Sequence, residues 1–203
     1  IRTELIKISN NFSNNNMYYT TCTLPGLIMI FFITMPIIIG STSNWFIPFM
    51  INSLDLIYPR MNNFSFWLLA PSLKLMIMNM LFSNNINTGW TLYPPLIIQN
   101  NISINFIIFS LLLTGMSSIL SSMNFIMTIL FLLSKFLNLY MINLFCWAIM
   151  ITSILLILSM PVLASGITMI LLDYNFKTMF FNPEGNGNPI MFQHIFWFFG
   201  RPE

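Results

Sequence analysis

Charge is what this chain has least of. Seven Lys or Arg and five Asp or Glu occur in 203 residues, a charged fraction of 6%, against roughly a quarter in an ordinary soluble domain. None falls between Lys7 and Asp55, between Lys74 and Lys135, or between Lys135 and Asp173. Cysteine is limited to Cys22 and Cys146 and histidine to His194. No CxxC pair or Cys/His cluster exists, so the cysteines define neither a metal site nor a redox compartment. GxGxxG, Walker-type, GxSxG and HExxH sequences are missing too, which leaves nucleotide and hydrolytic chemistry without support. The net charge of +2 is spread along the chain without a basic run, which excludes nucleic acid as an expected partner. No charged leader followed by a short apolar core and a cleavage site opens the sequence, so no signal peptide is expected. Ile1 in place of an initiator Met, and an end directly after the aromatic run 195–199, lead us to expect a fragment.

What fills the charge-free gaps is Ile, Leu, Phe and Met. Hydrophobic residues make up 57% of the chain and the mean hydropathy is +0.80. A bilayer core of about 30 Å needs roughly 20 apolar residues in a helix, and each gap is long enough. The expected fold class is therefore an all-α membrane protein, a polytopic transmembrane helix bundle, in which 1–203 form one segment and membrane lipid is the first partner.

Four complete spans are expected, over about 18–50, 64–82, 105–133 and 144–172, with a fifth beginning at 190–200. Pro25, Pro36 and Pro48 interrupt the first, predicting a kinked helix that neighbours must support. The segments 10–16, 55–63, 83–104, 135–143 and 173–189 carry the Asn, Gly and Pro of loops, and Asp173 is expected to stop the fourth span. Trp90 and Tyr93 suit an interfacial aromatic belt. Ser110, Thr114, Gly115, Ser117, Ser118, Ser121, Ser122 and Asn124 line the third span with the small, weakly polar types that let helices approach closely. Cys22 and Cys146, near the starts of the first and fourth spans, fall on opposite membrane faces and do not pair. Lys74 is an anomaly: a lysine inside a span is costly unless it snorkels or faces a polar interior.

Ionisable groups available to the membrane interior are few: Asp55, Lys74, His194, Arg201 and Glu203. A carboxylate in an apolar helix is expensive to ionise and so suits the carriage of a proton; Glu203, after an all-apolar aromatic run, fits this best. It reads equally as a helix end in water. On their own, His194 beside Gln193 reads as an interfacial residue and Asp55 as a loop residue.

The block 58–69, Tyr-Pro-Arg-Met-Asn-Asn-Phe-Ser-Phe-Trp-Leu-Leu, resembles the subunit I family of mitochondrial cytochrome c oxidases, the haem-copper oxidases. Further matches are Ile28-Met29-Ile30-Phe31-Phe32, Asn44-Trp45, the Thr-Gly-Trp-Thr-Leu-Tyr-Pro-Pro of 88–95, the Leu-Ser-Met-Pro-Val-Leu-Ala of 158–164 and the Gln-His-Ile-Phe-Trp-Phe-Phe-Gly of 193–200, in family order across the whole chain. The resemblance implies an N-terminal-half portion of a twelve-helix subunit, from the end of helix I through helices II to V into helix VI. It implies an enzyme, cytochrome c oxidase, that reduces dioxygen to water with electrons from cytochrome c, using haem a, haem a3 and a copper ion (CuB), and that pumps protons across the mitochondrial inner membrane alongside other oxidase subunits.

Carried over by position, Asp55 matches the entrance of the family's proton pathway. Asn44, Asn62, Ser117, Ser118 and Asn124 match polar positions along it, and Glu203 its terminal glutamate. Arg2 and Trp90 match residues around haem a, and Glu4 a ligand of a peripheral cation site. Two positions depart. The family's Thr-Ala-His-Ala-Phe stands here as Thr23-Leu24-Pro25-Gly26-Leu27, with Pro25 at the haem a ligand, and its His-Pro-Glu as Arg201-Pro202-Glu203, with Arg201 at a CuB ligand. Gly40-Ser41-Thr42-Ser43 replaces Gly-Gly-Phe-Gly, Asp173-Tyr174-Asn175 replaces Asp-Arg-Asn, and Lys74 replaces an apolar or small polar residue. Two other readings therefore stay open: a decayed or error-bearing copy without activity, and an unrelated polytopic membrane transporter.

Overall fold

The computed structural model describes residues 15–82, 88–98, 103–133 and 139–201, together with Arg2. Among these residues there is no strand, and four helices are long and apolar enough to cross a membrane: Tyr18–Ile51, Pro59–Leu81, Ile104–Phe131 and Leu144–Phe176. The protein is a polytopic helical membrane bundle.

The first span is continuous but not uniform. It runs as α1 (Asn15–Ile28), a π-helical stretch (Met29–Ser41) and α2 (Thr42–Ile51). Pro36 lies inside the π-helical stretch; proline has no N–H to donate and its ring crowds the carbonyl four residues back, and wider turns accommodate both faults. The hydroxyls of Ser41 and Thr42 donate to the carbonyls of Ile37 and Ile38, so side chains supplement the altered backbone ladder. α2 ends where Asn52 turns left-handed at φ 56° and returns its N–H to the Pro48 carbonyl, a conformation asparagine tolerates.

α3 covers Pro59–Phe82, five residues earlier than the hydrophobic run suggested, because a proline at the first helical position sacrifices no hydrogen bond and has its φ already set. The loop before it is correspondingly shorter than 55–63. α4 is Ser103–Phe131 and α5 is Leu144–Phe176. Asp173 does not stop α5. It lies in the last turn, buried, where its carboxylate accepts from Thr178 Oγ1 at 2.5 Å and from the backbone N–H groups of Phe180 and Phe181, each at 3.0 Å. The stop comes at Lys177, left-handed at φ 54°. α6, Pro189–Gly200, starts on Asn188, whose Oδ1 accepts from the Ile190 N–H at 3.0 Å, an N-cap followed by proline.

α4 packs between α3 and α5, as its small polar residues predict. Its contact with α3 and the residue just before it is a polar ladder of three rungs. Ser110 Oγ donates to the Ser72 carbonyl (2.8 Å), Ser117 Oγ donates to the Ser65 carbonyl (2.7 Å), and Asn124 both accepts from the Tyr58 N–H and donates to the Tyr58 carbonyl (3.2 Å each). The rungs recur every seven residues on both sides, in opposite chain directions, so they mark the seam of an antiparallel pair. Ser117→Ala is expected to weaken the α3–α4 pair by about 0.6 to 1.7 kcal/mol, the range for hydrogen bonds between membrane helices. Thermal unfolding of the detergent-solubilised protein measures it, and an unchanged midpoint would refute the ladder as a source of stability.

Apolar packing forms two clusters. One joins Leu24, Leu27 and Phe31 to Ile107, Met160, Phe192 and Phe196. The other joins Ile47 and Ile51 to Phe125, Ile129, Cys146 and Ile149. Both cysteines are free, and Cys146 meets Met50 at the end of the first span opposite Cys22. Lys74 is exposed on the outer face of α3 and does not face an interior.

Candidate functional site

The π-helical stretch, α2, α3, α4 and α5 line a partly open cavity of about 530 Å³. Asn44, Asn62, Ser117 and Ser118 all line it, together with Ser65, Thr114, Ser121, Ser122 and Ser153, over an apolar base of Phe31, Phe32, Met35, Phe125 and Leu156. Asn44 Nδ2 donates to Asn62 Oδ1 at 3.2 Å, which joins α2 to α3. Asn44 Oδ1 is buried and accepts no hydrogen bond among the described residues, an arrangement that calls for a donor from within the cavity.

The hydroxyls share one orientation. Thr114, Ser118, Ser121, Ser122 and Ser153 each donate to a carbonyl three residues back, at 2.8 to 2.9 Å, and Ser117 donates to the Ser65 carbonyl. With its hydrogen committed to the backbone, each hydroxyl retains acceptor capacity for whatever occupies the cavity. The lining is thus richer in acceptors than in donors and favours water, or water carrying an extra proton, over an anion.

Asp55 is exposed in the loop between α2 and α3. Asn124, fully buried, is not on the cavity wall; it clamps the peptide of Tyr58, three residues beyond Asp55, and so fixes the loop that carries the carboxylate. A second cavity of about 340 Å³ shares Phe31, Met35, Ile39 and Leu156 with the first, and adds Thr34, Trp90, Thr152, Ser159, Phe196 and Gly200. Trp90 packs edge-on against Phe196 at 5.6 Å and closes on Gly26, where an added Cβ would stand 3.1 Å from the Trp90 Cβ. Tyr93 accepts a hydrogen bond from Trp197 Nε1, so the two residues expected in an aromatic belt are tied into α6.

Asn44, Asn62, Ser117 and Ser118 thus share one cavity, while Asp55 lies in the adjoining loop and Asn124 holds that loop from α4. Arg2 is exposed and its neighbours lie outside the described residues, as do Glu4 and Glu203 themselves. Thr114, Ser121, Ser122 and Ser153 also line the cavity, although the sequence assigns the first three to packing and singles out nothing at the fourth. For the first three the signal is the recurrence of hydroxyls along one face of α4; Ser153, on α5, has none. Among the described residues no group of three or more His, Cys, Asp or Glu is placed to hold a metal ion. Arg201 is exposed at the C-terminal end of α6, with its N–H on the Trp197 carbonyl at 3.0 Å, where a cation is favoured by the helix dipole.

A family model described as "Cytochrome C and Quinol oxidase polypeptide I" matches residues 1–203. The chain belongs to this family. Among curated relatives, cytochrome c oxidase subunit 1 of Eremothecium gossypii is 43% identical over 192 residues, 93% of this chain and 36% of the relative. That of Pecten maximus is 42% identical over 207 residues, 100% of this chain and 43% of the relative, and that of Candida albicans 43% identical over 193 residues, 94% and 36%. The chain thus spans about two fifths of the length of these relatives. It is similar to part of an oxidoreductase subunit.

Proposed function

We propose that this chain is the proton-delivering portion of a cytochrome c oxidase subunit, from the end of helix I into helix VI of a twelve-helix parent. That parent reduces dioxygen to water with electrons from cytochrome c and moves protons across the mitochondrial inner membrane, in a complex with other oxidase subunits and lipid. One observation carries the reading: the acceptor-rich cavity on which Asn44, Asn62, Ser117 and Ser118 converge, next to the loop of Asp55.

In this reading Asp55 collects a proton at the membrane surface, its loop held by the Asn124 clamp. The Asn44–Asn62 pair forms the polar entry, and the lone pairs of the serine lining orient a chain of water and stabilise the excess proton. The shared wall of Phe31, Met35 and Leu156 separates this wet stretch from the second cavity, which reaches Gly200, three residues before Glu203, the assigned acceptor.

The residues present do not fit the family's metals. Proline has no side-chain donor for haem iron, and the guanidinium of Arg201 is permanently cationic and cannot stand in for a neutral imidazole on copper. Pro25 and Arg201 thus leave the haem a and CuB ligand positions of this span without a usable ligand, while by position Arg2 and Trp90 match haem a surroundings and Glu4 a peripheral cation ligand. Pro25 and Arg201 favour a second reading, a copy that assembles without catalysis.

Reduced-minus-oxidised spectra of membranes carrying the full-length subunit separate the two. A haem a band at a normal subunit level supports the enzyme; its absence at that level supports the inert copy. In a spectrally competent complex Asp55→Asn is expected to slow proton uptake during turnover at least tenfold, and unchanged uptake would remove Asp55 from the path.

A further inference from the structure

Ser43 carries a hydroxyl that the fold leaves unanswered. Its side chain is 0% exposed, and Oγ has no hydrogen-bond partner among the described residues. A buried hydroxyl in that state carries a desolvation penalty, which native structures relieve with a protein group or an ordered water. On α2 it shares the buried face of Ile47 and Ile51, which meets α4 and α5. The oxidase family has glycine at this position, so the hydroxyl is this chain's own addition.

Two contacts fix what Ser43 faces. Met50 Sδ meets Cys146 Sγ at 3.9 Å. Because α2 and α5 run in opposite directions, two turns back from Met50 is Ser43 and two turns on from Cys146 is Ser153. An added Cβ at Gly115 would stand 3.8 Å from Met160 Sδ. Two turns on from Gly115 along α4 is Ser122, and two turns back from Met160 along α5 is again Ser153. Ser43, Ser122 and Ser153, one from each of three helices, therefore share a level of the bundle, and all are buried. Ser122 and Ser153 lie on the cavity wall, as do Ile39, Gly40 and Asn44, which flank Ser43 on its own span.

The three hydroxyls differ in what they offer. Ser122 Oγ donates to the Ile119 carbonyl and Ser153 Oγ to the Met150 carbonyl, each at 2.8 Å, which leaves their lone pairs. Ser43 has its hydrogen and its lone pairs uncommitted. A water against the cavity wall donates one hydrogen to Ser122 and the other to Ser153, and accepts from Ser43 after a turn about its Cα–Cβ bond between staggered positions. About three hydrogen bonds is the usual complement of a buried water. An anion would find a single donor here, and a hard cation would find no carboxylate on the cavity wall.

We propose that Ser43, Ser122 and Ser153 hold one buried water where α2, α4 and α5 meet, a site this chain gains through Ser43. In the proton path proposed above, on which this role rests, that water is a fixed station next to Asn44.

A high-resolution electron cryomicroscopy map of the full-length complex tests the site. The expected result is a water peak within hydrogen-bond distance of all three Oγ atoms, absent from Ser43→Ala. Thermal midpoints of the solubilised complex give a second readout. Ser43→Ala and Ser153→Ala disrupt the same water, so the double variant is expected to lose less than the sum of the two single losses. No peak in the wild-type map, a peak that survives Ser43→Ala, or additive losses overturns the proposal. Ser43→Ala is also expected to slow proton uptake about threefold, with KM for cytochrome c unchanged. An unchanged rate where Asp55→Asn remains slow removes this station from the path. Unchanged rates in both variants remove the path itself, and the map then decides the site alone.

Discussion

Replacing Asn62 with leucine is expected to lower turnover-coupled proton uptake by more than tenfold while leaving helical content and assembly close to normal. Asn62 Oδ1 is the acceptor for Asn44 Nδ2, and Asn44 Oδ1 accepts nothing from the described protein. Leucine, similar in length and branching, would leave both ends of the Asn44 amide without a protein partner and put methyl groups where α2 and α3 frame the cavity. A water chain interrupted at one point loses its continuity, and a barrier raised by only about 1.4 kcal/mol already costs a factor of ten. Asn62→Ser, which restores a polar atom and frees volume, should recover most of the rate. Stopped-flow proton uptake by the reconstituted full-length complex gives the measurement; equal rates for the leucine and wild-type proteins would sever the Asn pair from the route.

The largest structural loss is expected from Asp173→Ala. The carboxylate is buried and collects Thr178 Oγ1 and the N–H groups of Phe180 and Phe181. Phe181 is itself fully buried and packs edge-on against Phe192 of α6 at 5.6 Å. Alanine strands these donors, of which the Phe181 N–H is buried and the other two are only part-buried; an unsatisfied buried group costs about 1 to 3 kcal/mol. A loss of about 3 kcal/mol follows, concentrated in the loop that delivers α6 to α5. Asp173→Asn keeps an acceptor oxygen and is expected to lose about half as much. Limited proteolysis across 177–188 and the thermal midpoint of the solubilised protein report it. A midpoint unmoved by alanine would mean that the loop stands without its anchor.

Much of this architecture is readable from where charge is missing, because hydrocarbon tolerates long runs without it and the helix is the form that satisfies every backbone group there. The spans fall within a few residues of expectation. The errors sit at their ends, where local hydrogen bonding outweighs hydropathy. Pro59 begins α3 in polar surroundings, and Asp173 is helical because the following loop folds back to cap its carboxylate, a tertiary event that hydropathy does not report. The π-helical stretch is equally invisible, although Pro36 marks the trouble.

The site is legible in its members more than in its shape. Asn44, Asn62, Ser117 and Ser118 stand out by resemblance, and the cavity brings them together. Ser65 and Ser72 on one helix, with Ser110, Ser117 and Asn124 on the next, repeat every seven residues, and that recurrence is open to inspection as the signature of an antiparallel seam. Gly187 reads as a turn signal, yet its real constraint is crowding: an added Cβ would stand 2.4 Å from the Met179 carbonyl oxygen.

The α3–α4 ladder is one-sided. Every rung begins from a side chain of α4 and ends on main chain, at Ser65 and Ser72 of α3 and at Tyr58 just before it. Since any residue but proline supplies the main-chain groups used, the ladder itself screens substitutions at these three positions by bulk, whereas it screens those at Ser110, Ser117 and Asn124 by chemistry. Saturation mutagenesis should therefore return asymmetric tolerance maps for two helices that share a single interface.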